Sequence, residues 1–235
     1  MTQFPNIGAK KLTIDIYSDV MCPWCIIGYS QLQKALAQLA GEIEAEVRWL
    51  PFELNPDMPP EGEESVAHIA RKYGRTPDQA KAGREQMLGM GERAGYSFAY
   101  TGTGDPPESM LRNTFAAHKL LKWALIEAGA EVQNRLKLAL FDAHFQQRRD
   151  VSDPGVLTEL AAVQGLDVEG ARAALSDETL GRIVKQEEAQ AYDMNITGVP
   201  AMIVQGKYMI PGAQEPEVYV NTLRRVVERE GRAAV

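Results

Sequence analysis

The chain has 235 residues, a length suited to one large domain or to a small domain carrying an insertion. Hydrophobic residues make up 45% and charged residues 24%, enough apolar material to bury a core without disulfide staples. The net charge of -7, with no Lys/Arg block, argues against nucleic acid or an anionic membrane as partner.

The N-terminal stretch MTQFPNIGAKKLTIDIYSDVM has neither the unbroken apolar region nor the cleavage-site pattern of a signal peptide. No segment approaches the ~20 apolar residues of a membrane span. The expectation is a soluble, cytoplasmic protein. Residues 11 to 18, rich in Ile, Leu, Tyr and Thr, read as a buried strand. A helix should run from Pro23 to Leu39, because proline suits a first helical position whose N–H has no partner anyway. Cys25, Tyr29, Leu32, Leu36 and Leu39 then form one apolar stripe. EAEVRWLPFEL reads as a second strand, ended by the turn-like NPDMPPEG.

From about Glu63 to Met194 the pattern is helical. EESVAHIARKYG predicts a short helix, and TPDQAKAGREQMLGMGERAG one with a Thr cap followed by Pro. After the loop TGTGDPPES come a helix over about 109–128 and another over EVQNRLKLALFDAHFQQ. SDPGVLTELAAVQG and SDETLGRIVKQEEAQAYDM complete the block. GVPAMIVQGKYMIPG then predicts a hairpin turning at Gln-Gly-Lys, and a last helix spans about 215–230. This β-α-β, helical block, β-β-α order predicts an α/β fold: one sheet with a large all-helical insertion emerging from its middle.

The only cysteines are Cys22 and Cys25. In a reducing compartment such a close pair points to catalytic, redox-sensing or metal chemistry rather than a structural staple. Three positions at a helix start bring two Cβ atoms within the ~3.5–4.5 Å that a disulfide needs. Cys25 should be buried on the apolar stripe. Cys22 should sit at the positive end of the helix, where its thiolate is favoured, which would make it the attacking thiol and Cys25 the resolving one. A zinc site would need two more ligands, and His68, His118 and His144 are scattered, so no metal is expected. Two incidental cysteines, or a sensor without turnover, are the blander readings. His118, His144 and Asn113 are expected to be structural, through hydrogen bonds such as histidine makes to backbone, and Asp19 to be a turn or cap residue.

CPWC after a strand and opening a helix resembles the thioredoxin superfamily, and the long helical insertion resembles its DsbA-like group. YSDVMCPWC, WLPFELNP, RNTFAAHKL, LFDAHF, DVSD and TGVPAMIVQGKYMIPGAQ, spread over residues 17 to 214, resemble the FrnE-like branch. The resemblance implies a thioredoxin-like domain over 11–62 and 195–231 and a helical insertion domain over 63–194. It implies that Pro200 is a cis-proline facing the dithiol, with Val199 and Pro200 docking substrate, and that Pro23 and Trp24 tune the redox pair. Many members carry a buried acid on the first strand that handles the resolving thiol's proton. Asp15 is the nearest match, although its spacing to the cysteines is one residue too long. The implied activity is thiol–disulfide exchange, with disulfide isomerisation as a further implied activity, on a disulfide or dithiol protein or a small thiol. It needs no cofactor beyond the Cys22–Cys25 disulfide, with glutathione as a conceivable reductant, in a monomer or homodimer. The alternatives are a glutathione-dependent transferase or isomerase of the kappa or chromene-carboxylate isomerase type, in which serine commonly replaces the attacking cysteine, and a chaperone-like peptide binder.

Overall fold

The structure, a computed structural model, describes residues 9–233. The first eight residues of the N-terminal stretch discussed above lie outside it. Strand β1 (Lys10–Ser18) buries Leu12, Ile14 and Ile16 on one face and is covered on both faces from Ile16 to Ser18. Helix α1 (Pro23–Gln38) crosses over to β2 (Ile43–Pro51), which lies parallel to β1 from Lys10 opposite Ile43 to Ser18 opposite Pro51. At the far end of the chain, β5 (Ala201–Val204) pairs antiparallel with β1, and β6 (Tyr208–Pro211) pairs antiparallel with β5. The sheet order is therefore β2-β1-β5-β6, a thioredoxin-like arrangement in which the strand carrying the cysteine loop is central. The hairpin turns at Gln205 and Gly206, both with positive φ (54° and 66°), matching the primed turn that twisted strands favour.

The C-terminal helix α8 (Pro216–Ala233) packs beside α1 and buries Tyr219, Val220, Leu223 and Val226 in the core that holds both cysteines. Between β2 and β5 the chain runs through short β3 (Glu63–Glu64), α2 (Ser65–Tyr73), α3 (Pro77–Ala94), short β4 (Met110–Leu111), α4 (Phe115–Phe145), α5 (Pro154–Val163), α6 (Val168–Ser176) and α7 (Glu178–Asp193). The expected Thr76 cap is present as a reciprocal capping box with Gln79, and Asp153 caps α5 through the Val156 N–H.

Two expectations need correction. The helix expected from 109 begins at Phe115. Met110 and Leu111 instead pair with Glu63 and Glu64, and Asn113 Oδ1 accepts the Phe115 N–H at 2.9 Å. Its end stands as expected: Gly129, with φ 83° and ψ 178°, is non-helical and divides α4 into two helices. Helix α6 was not expected. Its cap is Asp167, whose Oδ2 accepts the Gly170 N–H at 2.6 Å, and its buried face consists of Ala171 and Ala174, too slight an apolar stripe to read as periodic.

Helix α4 lies along β2, which would otherwise be an exposed sheet edge. Gln133, fully buried, acts as a stand-in strand: its Oε1 accepts the Trp49 N–H at 2.9 Å and its Nε2 donates to the Trp49 carbonyl at 2.9 Å. Asn134 accepts from the Trp49 indole N–H at 2.9 Å and donates to the Tyr29 hydroxyl at 2.7 Å. The helical segment is thus hydrogen-bonded to the sheet at the residue whose ring lies beside α1. Among the described residues no helix is long and apolar enough to cross a membrane.

Candidate active site

Residues 18–22 carry the chain from β1 into α1, and all are buried. Asp19 organises this turn. Its Oδ1 accepts the Met21 N–H at 3.2 Å, its Oδ2 accepts the Leu54 N–H at 2.7 Å beyond β2, and its carbonyl accepts the Cys22 N–H at 3.2 Å. The expected turn role is therefore real, and it brings a buried carboxyl against the dithiol. Burial holds the Asp19 carboxyl above its ordinary range, while the Leu54 N–H and the Lys137 charge pull the other way.

Cys22 is the N-cap of α1, in extended conformation (φ -87°, ψ 109°), and makes no capping hydrogen bond with its side chain. Its thiol instead donates to the Val199 carbonyl, 3.6 Å away. The Val199–Pro200 bond is cis, so the loop before β5 stands against Cys22 as the resemblance implied. Gly28, one turn along α1, makes that approach possible: a Cβ there would lie 3.2 Å from Pro200 Cγ and 3.3 Å from Ala213. Between the cysteines Pro23 is half-buried, while Trp24 is 37% exposed and stands at the mouth of the site.

Both cysteines are free thiols, 3% and 0% exposed for Cys22 and Cys25. Burial is the largest influence on both thiols and disfavours either thiolate. Against it, the Cys25 backbone N–H in the first turn favours a charge on Cys22, and the Lys137 charge, the Ser18 hydroxyl and the Asp19 backbone favour one on Cys25, so the titration belongs to the pair.

Asp15 does not approach the sulfurs. It forms a bidentate pair with Arg48, its partner in the β1–β2 register, at 2.7 and 2.9 Å. The acid that faces the dithiol is Asp19, four residues on, beyond the end of the strand. His118 is buried, and its Nε2 lies 3.9 Å from Asp19 Oδ1 with no hydrogen-bond partner among the described residues. Burial, then Lys137 and Lys185, hold it neutral, well below the ordinary histidine range. Asn113 accepts the Phe115 N–H at the start of α4 and donates to Glu53 and Pro56 at 3.4 Å, a structural role as expected. His144 packs edge-on to Phe145 far along the same helix.

Sequence reasoning missed Lys137. It is fully buried on α4, and its ammonium lies 5.2 Å from the Trp49 ring centre and 4.9 Å from that of Phe141. Burial lowers it to about 8, against the pull of the Cys25, Asp19 and Cys22 charges. The signal was present: Gln133, Lys137 and Phe141 recur every four residues, which puts two polar side chains on the apolar face of a helix.

A buried dithiol opening a helix, set against a cis-proline loop on a four-stranded mixed sheet, defines the thioredoxin-like class, here with helices inserted between its second and third strands. The chain belongs to the family described as DSBA-like thioredoxin domain, whose model matches residues 13–224. It is 29% identical to the Bacillus subtilis protein YwbO over 207 residues, 88% of this chain and 92% of that one. A shorter match, 35% over 88 residues, links 37% of the chain to 42% of the thiol:disulfide interchange protein DsbA of Pectobacterium carotovorum. Among solved structures, a probable DsbA oxidoreductase from Streptomyces coelicolor superposes with a TM-score of 0.80 at 30% identity, covering 91% of this chain and 89% of that one. The cytosolic disulfide reductase DsbM of Pseudomonas aeruginosa shares the fold (TM-score 0.60, 17% identity, 92% and 98% covered).

Proposed function

We propose that the protein is a thiol–disulfide oxidoreductase in which Cys22 attacks and Cys25 resolves. The observation that carries this is the asymmetry of the pair: Cys22 lies on the side of the Val199–Pro200 loop and Trp24, whereas Cys25 is sealed in the core. Access makes Cys22 the nucleophile. As a substrate disulfide arrives, Cys22 gives up its proton to solvent. The Cys22 sulfur bonds to one substrate sulfur, and the other leaves as a thiolate that is then protonated. The Val199 carbonyl, no longer occupied by the Cys22 thiol, accepts from a backbone N–H of the bound peptide. Cys25 then loses its proton and attacks Cys22, forming the Cys22–Cys25 disulfide and releasing the second substrate thiol. In sum, two thiols of the protein are oxidised and one substrate disulfide is reduced to two thiols. The reverse sequence oxidises a dithiol.

Pro23 and Trp24 tune this pair, and Val199 and Pro200 dock substrate, in a dithiol domain formed by 11–62 and 195–231 and covered by the helical insertion 63–194. A cytoplasmic setting, with a small thiol such as glutathione regenerating the dithiol, fits the structural likeness to a cytosolic disulfide reductase. The presence of Cys22 supports redox work over a serine-dependent isomerase on the same scaffold.

The test is turnover of insulin disulfides, or refolding of a scrambled substrate, by wild type, Cys22→Ser and Cys25→Ser. The first variant should be inactive and the second should accumulate a mixed disulfide. Equal turnover by all three would overturn the reading.

A further inference from the structure

We infer that the cleft between the loop before β4 and the C-terminal end of α4 is a binding site for a small oxyanion, a phosphate or carboxylate group, gripped by Arg148 together with Arg112 and His144. The inference concerns the helical insertion and is independent of the thiol chemistry.

The sequence stretches LFDAHF and DVSD have no part in disulfide exchange, and they meet at this cleft, the first supplying His144 and the second Asp150. The cleft holds about 240 Å³ and is lined in part by Glu108, Arg112, His144, Arg148, Arg149 and Asp150. That is below the ~300–1,000 Å³ of sites for drug-sized molecules, so it suits a small ligand. Guanidinium groups gathered around one concavity repel one another unless anions separate them. Arg149 has its anion, a bidentate pair with Glu159 at 3.1 and 2.6 Å. Arg112 donates to the Glu61 carbonyl, and its Nε stands 3.2 Å from Asp150 Oδ2. That Nε is buried and out of line for a hydrogen bond, and the other Asp150 oxygen is taken up by the Ser152 N–H at 2.9 Å and hydroxyl at 2.5 Å.

Arg148 is the cation left over. Among the described residues its side chain makes one long hydrogen bond, to the Ser109 hydroxyl at 3.4 Å, and its Nε is buried without a partner. Arg84 of α3 adds a like charge beside it. The backbone of Arg148 takes φ 56°, just past the end of α4, in the left-handed region that glycine adopts easily and other residues only with strain. An arginine is held where a glycine would relax the turn. His144 is 5% exposed, lines the same cleft and makes no hydrogen bond among the described residues. Burial, then the Arg148 charge, lower its imidazole to about 3, so at neutral pH it offers an uncharged N–H. Two Nε–H groups without partners and an imidazole around one small cleft form a donor set for oxygen anions, and the planar guanidinium fork fits phosphate and carboxylate alike. Glu108 is exposed, so its charge is screened and opposes an anion only weakly.

The experiment titrates inorganic phosphate, and separately acetate, into the full-length protein by calorimetry in chloride buffer of constant ionic strength. At least one should bind saturably at one site per chain, and the tighter of the two identifies the oxyanion. Arg148→Gln should weaken that binding about ten-fold or more, the loss of a charged hydrogen-bonding fork. Glu108→Gln should tighten it by roughly two- to three-fold. Arg172→Gln removes an exposed arginine of α6 that does not line the cleft, and should leave binding as it is. Absence of saturable binding by both anions, or equal losses in Arg148→Gln and Arg172→Gln, would overturn the inference. Should Arg148→Gln not fold, the intact protein with isotope-labelled arginine answers by NMR. The Arg148 Nε–H resonance should then shift saturably with the anion while that of Arg172 stays in place, and a parallel drift of the two would refute the site.

Discussion

Replacing Gln133 with methionine should loosen the helical segment from the sheet. The change keeps the side chain's length and removes both hydrogen-bonding atoms. In the native protein Gln133 satisfies the N–H and the carbonyl of Trp49 on the outer edge of β2, and its Nε2 also reaches the Leu121 carbonyl at 3.2 Å. Leu121 lies inside α4 and keeps a helical partner, so two backbone groups are left wanting. Each buried group left unsatisfied costs about 1–3 kcal/mol, so the expected loss is about 2–6 kcal/mol. That is a large share of the ~5–15 kcal/mol by which a domain is stable. Guanidinium unfolding followed by tryptophan fluorescence measures it, with an unchanged denaturant slope showing that the folded state is intact. The same variant should slow disulfide exchange, because the backbone of Trp49, whose ring lies 5.1 Å from that of Tyr29 on α1, loses its anchor. A loss below about 1 kcal/mol would refute the reasoning, since it would mean that the β2 edge does not depend on this residue.

Gly28→Val should press on Pro200 Cγ and Ala213, costing about 1–3 kcal/mol of stability and slowing exchange by displacing the loop against Cys22; unchanged melting and kinetics would remove Gly28 from the site's construction. Asp15→Asn should leave exchange kinetics as they are and cost less than about 1 kcal/mol, because it breaks a partly exposed pair with Arg48 remote from the sulfurs; a slowed resolution step would restore Asp15 as a proton carrier. His144→Phe should reduce sensitivity to acid. Burial lowers the His144 imidazole from 6.5 to about 3, so between those values the unfolded chain binds a proton that the native one refuses. Stability then falls with pH by up to about 1.4 kcal/mol per unit on account of this group. Unfolding curves at several pH values across that window should diverge between wild type and variant as pH drops, and parallel curves would refute the assignment.

Elements with strong local signals were legible in the sequence. The Ile-rich β1, the proline start of α1 with its Cys25–Leu39 stripe, the capping box at Thr76 and the Gln-Gly-Lys hairpin each carry their own chemistry within a few residues. The β3–β4 pair was not legible, because Glu63 meets Leu111 across almost fifty residues and neither two-residue strand has an alternation to read. Both thiols and the loop at Pro200 were identified from sequence, yet Asp15 and Asp19 exchanged places. The spacing argument counted along the strand, whereas the backbone turns after Ser18 and aims the next carboxylate inward to collect the Met21 and Leu54 amides. Lys137 was hidden for a related reason: a lysine within an apolar run reads as a solvated face until the neighbours that enclose it, all from other elements, are in position.

The different settings of the two sulfurs bear on turnover. Cys22 lies against the Val199 carbonyl beside exposed Trp24, whereas Cys25 has no exposed surface. To resolve the mixed disulfide Cys25 must lose its proton inside the core, where burial disfavours the thiolate and the Ser18 hydroxyl and the charge of Lys137 favour it. Resolution should therefore be the pH-sensitive step and first attack the step governed by access at Trp24 and Val199. Stopped-flow mixing of the reduced protein with a mixed glutathione–peptide disulfide separates the two phases. A first phase that follows an ionisation more steeply than the second would contradict this division of labour between the sulfurs.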